Sequence, residues 1–189
     1  FNCVLIMGDL PAPAPVIFLD IDGVLRPPGM KGGGSTLAPE LAQRFAQLVL
    51  DTEARLVLST SWRLIRFMRE DLFKQFEKLG IPLDRVVGLT EEWSDKSTPM
   101  YQRRCCEILH YAATHCVGVP WVALDDLEME NSPGGLGERI LPHFVRTIPS
   151  EGLTEELAER AREILAGQKR NPPKGVQDVP GVYRPAPPL

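Results

Sequence analysis

Short apolar runs separated by amphipathic stretches dominate the pattern of the chain. Four of these runs predict strands, at residues 16–20, 55–59, 85–89 and 121–125, and a weaker fifth candidate lies at 143–148. Continuous apolar runs of this length are typical of strands that are buried on both faces of a parallel sheet. Three of the runs end in a polar residue, namely Asp20, Ser59 and Asp125.

Apolar residues at helical spacing lie between these strands. The predicted helices are one that begins at Pro39, one over 62–79 before Gly80, one that begins at Thr98-Pro99, and a last one capped by Thr154. The inner face of the second helix is predicted to hold Ile65, Met68, Leu72, Phe76 and Leu79. The resulting order β-α-β-α-β-α-β-β-α predicts a three-layer, Rossmann-like α/β fold, with a mostly parallel sheet and helices on both faces.

The length of 189 residues suits one domain with short additions. Residues 1–15 are predicted to be an N-terminal extension, in which Met7 is an alternative start. Residues 16–166 form the predicted domain, with a flexible loop at 26–36. Six prolines after residue 166 predict that 167–189 are a disordered tail.

Composition and charge exclude several classes of protein. The charged fraction of 24% and hydrophobic fraction of 43% do not fit a disordered chain. No apolar run approaches the ~20 residues of a membrane span. The net charge of −4 argues against a general nucleic-acid coat. The four cysteines lack zinc-site spacing, and no secretory signal is visible, so we expect reduced thiols in a cytoplasmic protein.

The candidate chemistry lies at the strand ends. Asp20 and Asp22 follow the first strand, and Gly23 permits the sharp turn that brings both carboxylates to one place. Asp125 and Asp126 follow the fourth strand. Because the carboxyl ends of parallel strands share one edge of the sheet, these groups are predicted to converge there. Carboxylate oxygens suit Mg²⁺.

The segment after the second strand allows more than one interpretation. Ser59 can donate to a phosphate oxygen or cap a helix, a role also open to Thr60 and Ser61. Trp62 can stack on a substrate or pack in the core. Arg63 can bind a second phosphate of the substrate or be an ordinary exposed arginine.

These motifs together resemble the haloacid dehalogenase (HAD) superfamily of phosphohydrolases. The resemblance covers roughly residues 16–148 and includes DxDGxL, a strand that ends in Ser, a basic residue on a later helix, and a strand that ends in Asp-Asp. The Ser-Thr-Ser-Trp-Arg stretch and an Arg-x-x-Glu-Ile pattern are similar to those of small capless HAD domains associated with bacterial RNA-repair proteins.

The resemblance implies a division of roles. Asp20 would be the nucleophile that forms an aspartyl-phosphate, and Asp22 the general acid and base. Ser59 would hold the transferring phosphoryl group. Asp20, Asp125 and Asp126, with the backbone carbonyl of Asp22, would hold Mg²⁺.

The basic residue of the third motif has three candidates. Arg104 is favoured by the Arg-x-x-Glu-Ile pattern. Arg103 is the alternative, and Lys96 is a further candidate. Either arginine could instead lie on a solvated face of the helix. The residues predicted to bind substrate are Gly23, Thr60, Arg63 and Arg103.

The resemblance also bears on substrate size, because caps decide it in this superfamily. The segment between Asp22 and Pro39 has room only for a flap, and residues 63–98 are occupied by one helix, one strand and a loop. An enzyme without a large cap has an open site, which suits a bulky substrate such as a protein or a nucleic-acid end, or closure by a partner domain. The expected partner is a phosphorylated substrate, either a small molecule or a nucleic-acid end.

Other functions remain open at this stage. A phosphotransferase is one alternative, and a dehalogenase is disfavoured by Asp22. A catalytically inactive HAD-like binding or regulatory module is another, for which Pro185-Ala-Pro-Pro could be a ligand of a polyproline-reading domain. The sequence does not predict an oligomeric state.

Overall fold

The computed structural model describes residues 13–30 and 35–171. Its sheet has five strands: β1 (Val16–Leu19), β2 (Arg55–Leu58), β3 (Val86–Leu89), β4 (Trp121–Asp125) and β5 (Phe144–Arg146). The strand order is β3-β2-β1-β4-β5, and each neighbouring pair is parallel. The predicted Rossmann-like α/β sheet is therefore confirmed.

Five α-helices cover the two faces of this sheet. They are α1 (Pro39–Thr52), α2 (Arg66–Lys78), α3 (Met100–His115), α4 (Leu136–Ile140) and α5 (Glu155–Arg170). Ile17 and Leu19 of β1 pack in one core with α1, α2 and α5. Val16 and Phe18 pack in a second core with α3 and α4. Alternate residues of the central strand thus face opposite layers, as the pleat of a strand requires.

The sequence prediction missed α4. It placed β5 directly after β4, but parallel neighbours need a crossover connection, and α4 lies within it. The helix has only five residues, too few to show the periodicity that identifies longer helices.

The predicted helix over 62–79 is broken near its start. A 3-10 helix covers Ser61–Leu64, Ile65 is extended, and α2 begins at Arg66. The break changes the phase of the helix, so Ile65 is 41% exposed instead of lying on the inner face. Leu72 and Phe76 are buried as predicted.

The last helix is longer than predicted. Its N-cap is Thr154, as expected, but it ends at Arg170, so residues 167–170 are helical and do not belong to the predicted tail. Gln168 anchors this end, because its side-chain amide bonds both the backbone N and the backbone O of Trp121, at 2.8 and 3.0 Å. Residues 172–189 of the tail, residues 1–12 of the N-terminal extension and residues 31–34 of the loop lie outside the described residues.

Two expectations from the sequence concern an inserted cap and a membrane-spanning segment. In the described residues, the stretch from β1 to α1 carries no inserted domain, and between α2 and α3 there are only β3, a short 3-10 turn and loops. None of the helices in residues 13–30 and 35–171 combines the length and the apolar character that a membrane span requires.

Three of the four cysteines lie in described parts of the chain, and all three are free and buried. Burial raises the pKa of Cys105 to about 12 and that of Cys116 to about 11, and it moves the pKa of Cys106 in the same direction. A thiol with a raised pKa is a poor nucleophile, so these three cysteines are suited to packing in the core and not to catalysis.

Candidate active site

The three polar strand ends meet at one edge of the sheet. Leu19 at the end of β1 is in register with Leu58 of β2 and Leu124 of β4. Asp20, Ser59 and Asp125 each follow one of these residues. They are therefore level with one another, with Asp20 in the middle, as the sequence predicts.

Three carboxylates form the centre of this edge. Asp20, Asp125 and Asp126 each offer one oxygen, and these atoms lie within 4.8 Å of one another. Burial raises the pKa of all three, and that of Asp125 reaches about 7 although Arg104 opposes the shift. Burial therefore makes the ionised form of the cluster unfavourable, and a bound cation would stabilise that form.

Arg104 is the basic residue that faces this cluster. Its Nη1 lies 2.6 Å from Asp125 Oδ2 and 3.3 Å from Asp20 Oδ1. The side chain is 6% exposed, and burial disfavours its charge, but Asp125 and Asp20 outweigh this effect and raise its pKa. The two carboxylates therefore keep Arg104 protonated.

The two other candidates for the third motif do not contact the carboxylates. Lys96 pairs with Glu92 on the surface. Arg103 is half-buried, and its Nε makes no hydrogen bond among the described residues. Both line a groove of about 240 Å³ that also reaches Arg104.

The charges of the centre fit a divalent cation. Three carboxylates against the single guanidinium of Arg104 leave an acidic site when all are ionised. The side-chain ligands are all oxygens, which is the donor set that Mg²⁺ prefers. Ligation through the backbone carbonyl of Asp22 stays a prediction.

Asp22 stands apart from the three carboxylates. Its side chain is 50% exposed. The indole N–H of Trp62 donates to Oδ2 at 2.8 Å, and Nη1 of Arg26 donates to Oδ1 at 3.4 Å. Trp62 is only 1% exposed, so it packs in the core and is not available to stack on a substrate.

Ser59 and Thr60 differ in what they contact. The hydroxyl of Thr90 donates to that of Ser59 at 3.4 Å. The N-cap role falls to Thr60, whose Oγ1 accepts from the backbone N–H of Trp62. Thr60 also hydrogen-bonds Asp20 and is fully buried. Its side chain thus contacts Asp20, and the predicted contact of Thr60 with substrate stays a prediction.

The predicted substrate contact of Arg63 also needs correction. The guanidinium is buried and donates to the carbonyls of Thr60, Thr90 and Glu91 and to the carboxylate of Glu107. Most of its donors are therefore used within the protein, and the fork that would bind a phosphate is occupied. We assign Arg63 a structural role.

Glu107 is a residue of the site that sequence reasoning gave no role. Its Oε2 lies 2.9 Å from Nη2 of Arg63 and 3.8 Å from Nε of Arg104, and its Oε1 accepts from the backbone N–H of Trp93. Glu107 therefore hydrogen-bonds Arg63 and makes a longer ion-pair contact with Arg104. The Arg-x-x-Glu spacing on α3 was the available signal, since residues three apart are neighbours on a helix.

Thr147 is a second residue of this edge to which the sequence analysis gave no role. Its hydroxyl donates to the carbonyl of Gly23 at 2.8 Å, and its backbone N–H donates to the carbonyl of Asp125 at 3.0 Å. It thus ties the turn after β1 to the end of β4. Its place directly after β5, at the same edge of the sheet, was the signal.

Gly23 is required by backbone conformation and by space. Its φ is +76°, and a Cβ at this position would lie 2.8 Å from the Cβ of Asp126 and closer still to its carboxylate. We expect Gly23→Ala to lower the free energy of unfolding by about 2 kcal/mol or more, and to displace Asp126 from the cluster. Urea unfolding measures the first effect, and Mg²⁺ titration the second.

Gly29→Ala is the matched control for this variant. Gly29 has a φ of +74°, but no described atom lies within 4 Å of the Cβ position. It should lose only the backbone contribution of about 1 kcal/mol and keep its Mg²⁺ response. Equal losses in the two variants would show that contact with Asp126 is unimportant.

Comparison with known proteins agrees with this geometry. Residues 16–158, about three quarters of the chain, match the family described as the HAD domain in Swiss Army Knife RNA repair proteins. No curated protein and no solved structure matches the chain. The matched segment contains the sheet, Asp20, Arg104 and the Asp125-Asp126 pair, and the chain therefore belongs to this family of HAD domains, within the HAD superfamily of phosphohydrolases.

Proposed function

We propose that the chain is a Mg²⁺-dependent phosphomonoesterase that works through a phosphorylated Asp20. The observation that supports this most directly is the convergence of Asp20, Asp125 and Asp126 around Arg104. Phosphoryl transfer depends mainly on alignment and charge neutralisation, and this arrangement can supply both.

In the first step, a carboxylate oxygen of Asp20 attacks the phosphorus atom. The bond from phosphorus to the leaving oxygen breaks, and that oxygen keeps the electron pair of the broken bond. Asp22 donates a proton to the same oxygen. Asp22 suits this role because its side chain is half exposed and lies outside the carboxylate cluster. A general acid of this kind typically contributes 10²–10⁴-fold to a rate.

In the second step, water attacks the phosphorus of the aspartyl-phosphate. Asp22 takes the proton of this water, and the bond from phosphorus to Asp20 breaks, which returns the electron pair to the Asp20 carboxylate. Two easier displacements thus replace one difficult hydrolysis.

Arg104, Ser59 and the metal would neutralise the negative charge of the phosphoryl group. The guanidinium of Arg104 faces Asp20. The Ser59 hydroxyl would donate to a phosphoryl oxygen. Bound Mg²⁺ would supply positive charge to the phosphoryl oxygens, and the residues that would hold it are Asp20, Asp125 and Asp126.

The proposed substrate is a phosphate monoester that an open site can accept. The family description concerns RNA repair proteins, and this favours a phosphorylated nucleic-acid end over a phosphorylated small molecule. We propose a cytoplasmic setting in which a partner domain can cover the site. The second candidate function, a non-catalytic binding module, is disfavoured because each expected position of the superfamily is filled.

Phosphate release with and without Mg²⁺ tests this proposal. The substrates are nitrophenyl phosphate, nucleotides, and oligonucleotides phosphorylated at either end. We expect release that requires Mg²⁺ and is fastest for a phosphorylated oligonucleotide. If folded protein released no phosphate from any of them, the non-catalytic function would be supported instead.

Mg²⁺ should stabilise the protein more as the pH rises. Burial raises the pKa of Asp125 to about 7 and that of Asp20 in the same direction, so the folded state without metal takes up protons more readily than the unfolded chain. Its stability therefore falls as the pH rises from about 4 through about 7. Mg²⁺ binds the ionised carboxylates, so its stabilising effect should grow over this range.

Thermal unfolding at about pH 5.5 and about pH 8 measures this effect. We expect Mg²⁺ to raise Tm by several degrees at the higher pH and by little at the lower one. Asp125→Asn lacks the carboxyl whose pKa is raised to about 7, so this control variant should show a weaker pH dependence. A Mg²⁺ effect of the same size at both pH values would contradict the assignment of these carboxylates as ligands.

A further inference from the structure

We propose that Trp62 is a positioning residue that fixes which oxygen of Asp22 exchanges a proton with the substrate. Its indole N–H holds Oδ2, so that Oδ1 is the atom that gives and takes the proton. This inference rests on the proposed phosphomonoesterase function.

The indole is rigidly held. Trp62 is 1% exposed and packs in the core that contains α1 and α2. Its backbone N–H is bound by the Thr60 side chain at the start of the 3-10 helix. A fixed donor on the second strand's loop thus reaches a carboxylate on the first strand's loop, at 2.8 Å.

Asp22 itself needs such a restraint. Its side chain is half exposed, and an exposed carboxyl rotates readily about its terminal torsion. The other contact is the 3.4 Å approach of Arg26 Nη1 to Oδ1, which is long for a hydrogen bond to a charged group. Trp62 therefore supplies the shorter of the two bonds that orient this carboxyl.

The indole N–H can only donate, and this makes the two oxygens of Asp22 unequal. A carboxyl oxygen that carries a proton is a poorer acceptor than the other oxygen, so the donor on Oδ2 favours a proton on Oδ1. The guanidinium of Arg26 approaches Oδ1 only to 3.4 Å, so it competes less for that oxygen than the indole N–H does for Oδ2. The bond to Trp62 survives both states of the reaction.

Dependence on the leaving group distinguishes this role from simple packing. An alkyl phosphate needs a proton on its leaving oxygen in the transition state, whereas nitrophenyl phosphate needs little. The test replaces the Trp62 side chain with its benzothienyl isostere, in which sulfur stands where the indole has N–H, and measures kcat/KM for both esters. We expect a loss of about 10²-fold with the alkyl ester and of about 3-fold or less with the nitrophenyl ester.

The same replacement at Trp121 is the matched control. Trp121 is also buried, and its ring packs against Phe18 and stacks on His143. It should leave both kcat/KM values within about 2-fold of the unmodified protein, because this ring contacts no residue of the site. Trp62→Phe serves as a second variant that lacks the N–H and should show the same difference between esters.

The outcomes separate the two proposals. If removal of the Trp62 N–H lowers kcat/KM equally for both esters, or for neither, while the unmodified protein is active, Trp62 does not position the proton and the phosphatase function stands. If the unmodified protein hydrolyses neither ester and no phosphorylated oligonucleotide, the proposed function fails and this inference with it. A variant that does not fold is identified by thermal unfolding, and the isostere, which keeps the volume of the ring, then decides.

Discussion

Asp20→Asn should abolish phosphate release, lowering kcat by at least ~10³-fold for each substrate that the protein hydrolyses. The neutral amide cannot attack phosphorus, and the cluster loses one of its three carboxylates. The fold should persist and even gain stability without metal at neutral pH, because burial raises the pKa of Asp20 and so disfavours its ionised form. Phosphate assays and thermal unfolding on one preparation measure both effects.

Asp71→Asn is the control for this substitution. Asp71 is a surface residue of α2 that bonds Ser35 and Lys74, and it belongs to no part of the site. This variant should keep the activity of the unmodified protein. If Asp20→Asn kept more than about a tenth of the activity, a nucleophile other than Asp20 would be required.

Arg104→Ala should have the largest effect on stability. It leaves Asp20 and Asp125 buried without the guanidinium that lies 3.3 and 2.6 Å from them. Removal of one partner from a buried ion pair typically costs about 3–5 kcal/mol. Urea unfolding at neutral pH without Mg²⁺ measures this loss, which should shrink at about pH 5 because protonated carboxyls need no partner.

Arg103→Ala tests whether this effect is specific. Arg103 precedes Arg104 on α3 but makes no ion pair among the described residues. It should change the free energy of unfolding by about 0.5 kcal/mol or less. Similar losses for the two variants would contradict the central position of Arg104 in the charge network.

Much of the fold and the outline of the site could be predicted from the chain itself. Apolar runs that end in Asp20, Ser59 and Asp125 define the parallel strands, and parallel strands bring their carboxyl ends to one edge. The need for glycine at position 23 was also predictable, because a sharp turn after β1 needs a residue that tolerates positive φ.

Contacts between side chains that are far apart in the sequence could not be predicted in this way. Arg63 resembles an exposed phosphate ligand until its contacts with Glu107 and three carbonyls are known. The family resemblance favoured Arg104 over Arg103, but the residues alone did not show which side of α3 faces Asp125, because both arginines adjoin the apolar stripe. The prediction that Ile65 lies on the inner face of its helix is wrong, because a short 3-10 turn alters the helical phase without a clear sequence signal.

The central claim is that Asp20 carries the phosphoryl group between the two steps, and trapping the phosphorylated protein tests it most directly. Asp22→Asn should hydrolyse the aspartyl-phosphate slowly, yet still form it from nitrophenyl phosphate, whose leaving group needs little protonation. After acid quenching with Mg²⁺ present, mass spectrometry should find one phosphoryl group, removable by hydroxylamine, on the peptide that contains Asp20. Turnover without any adduct, or an adduct on another residue, would contradict the account.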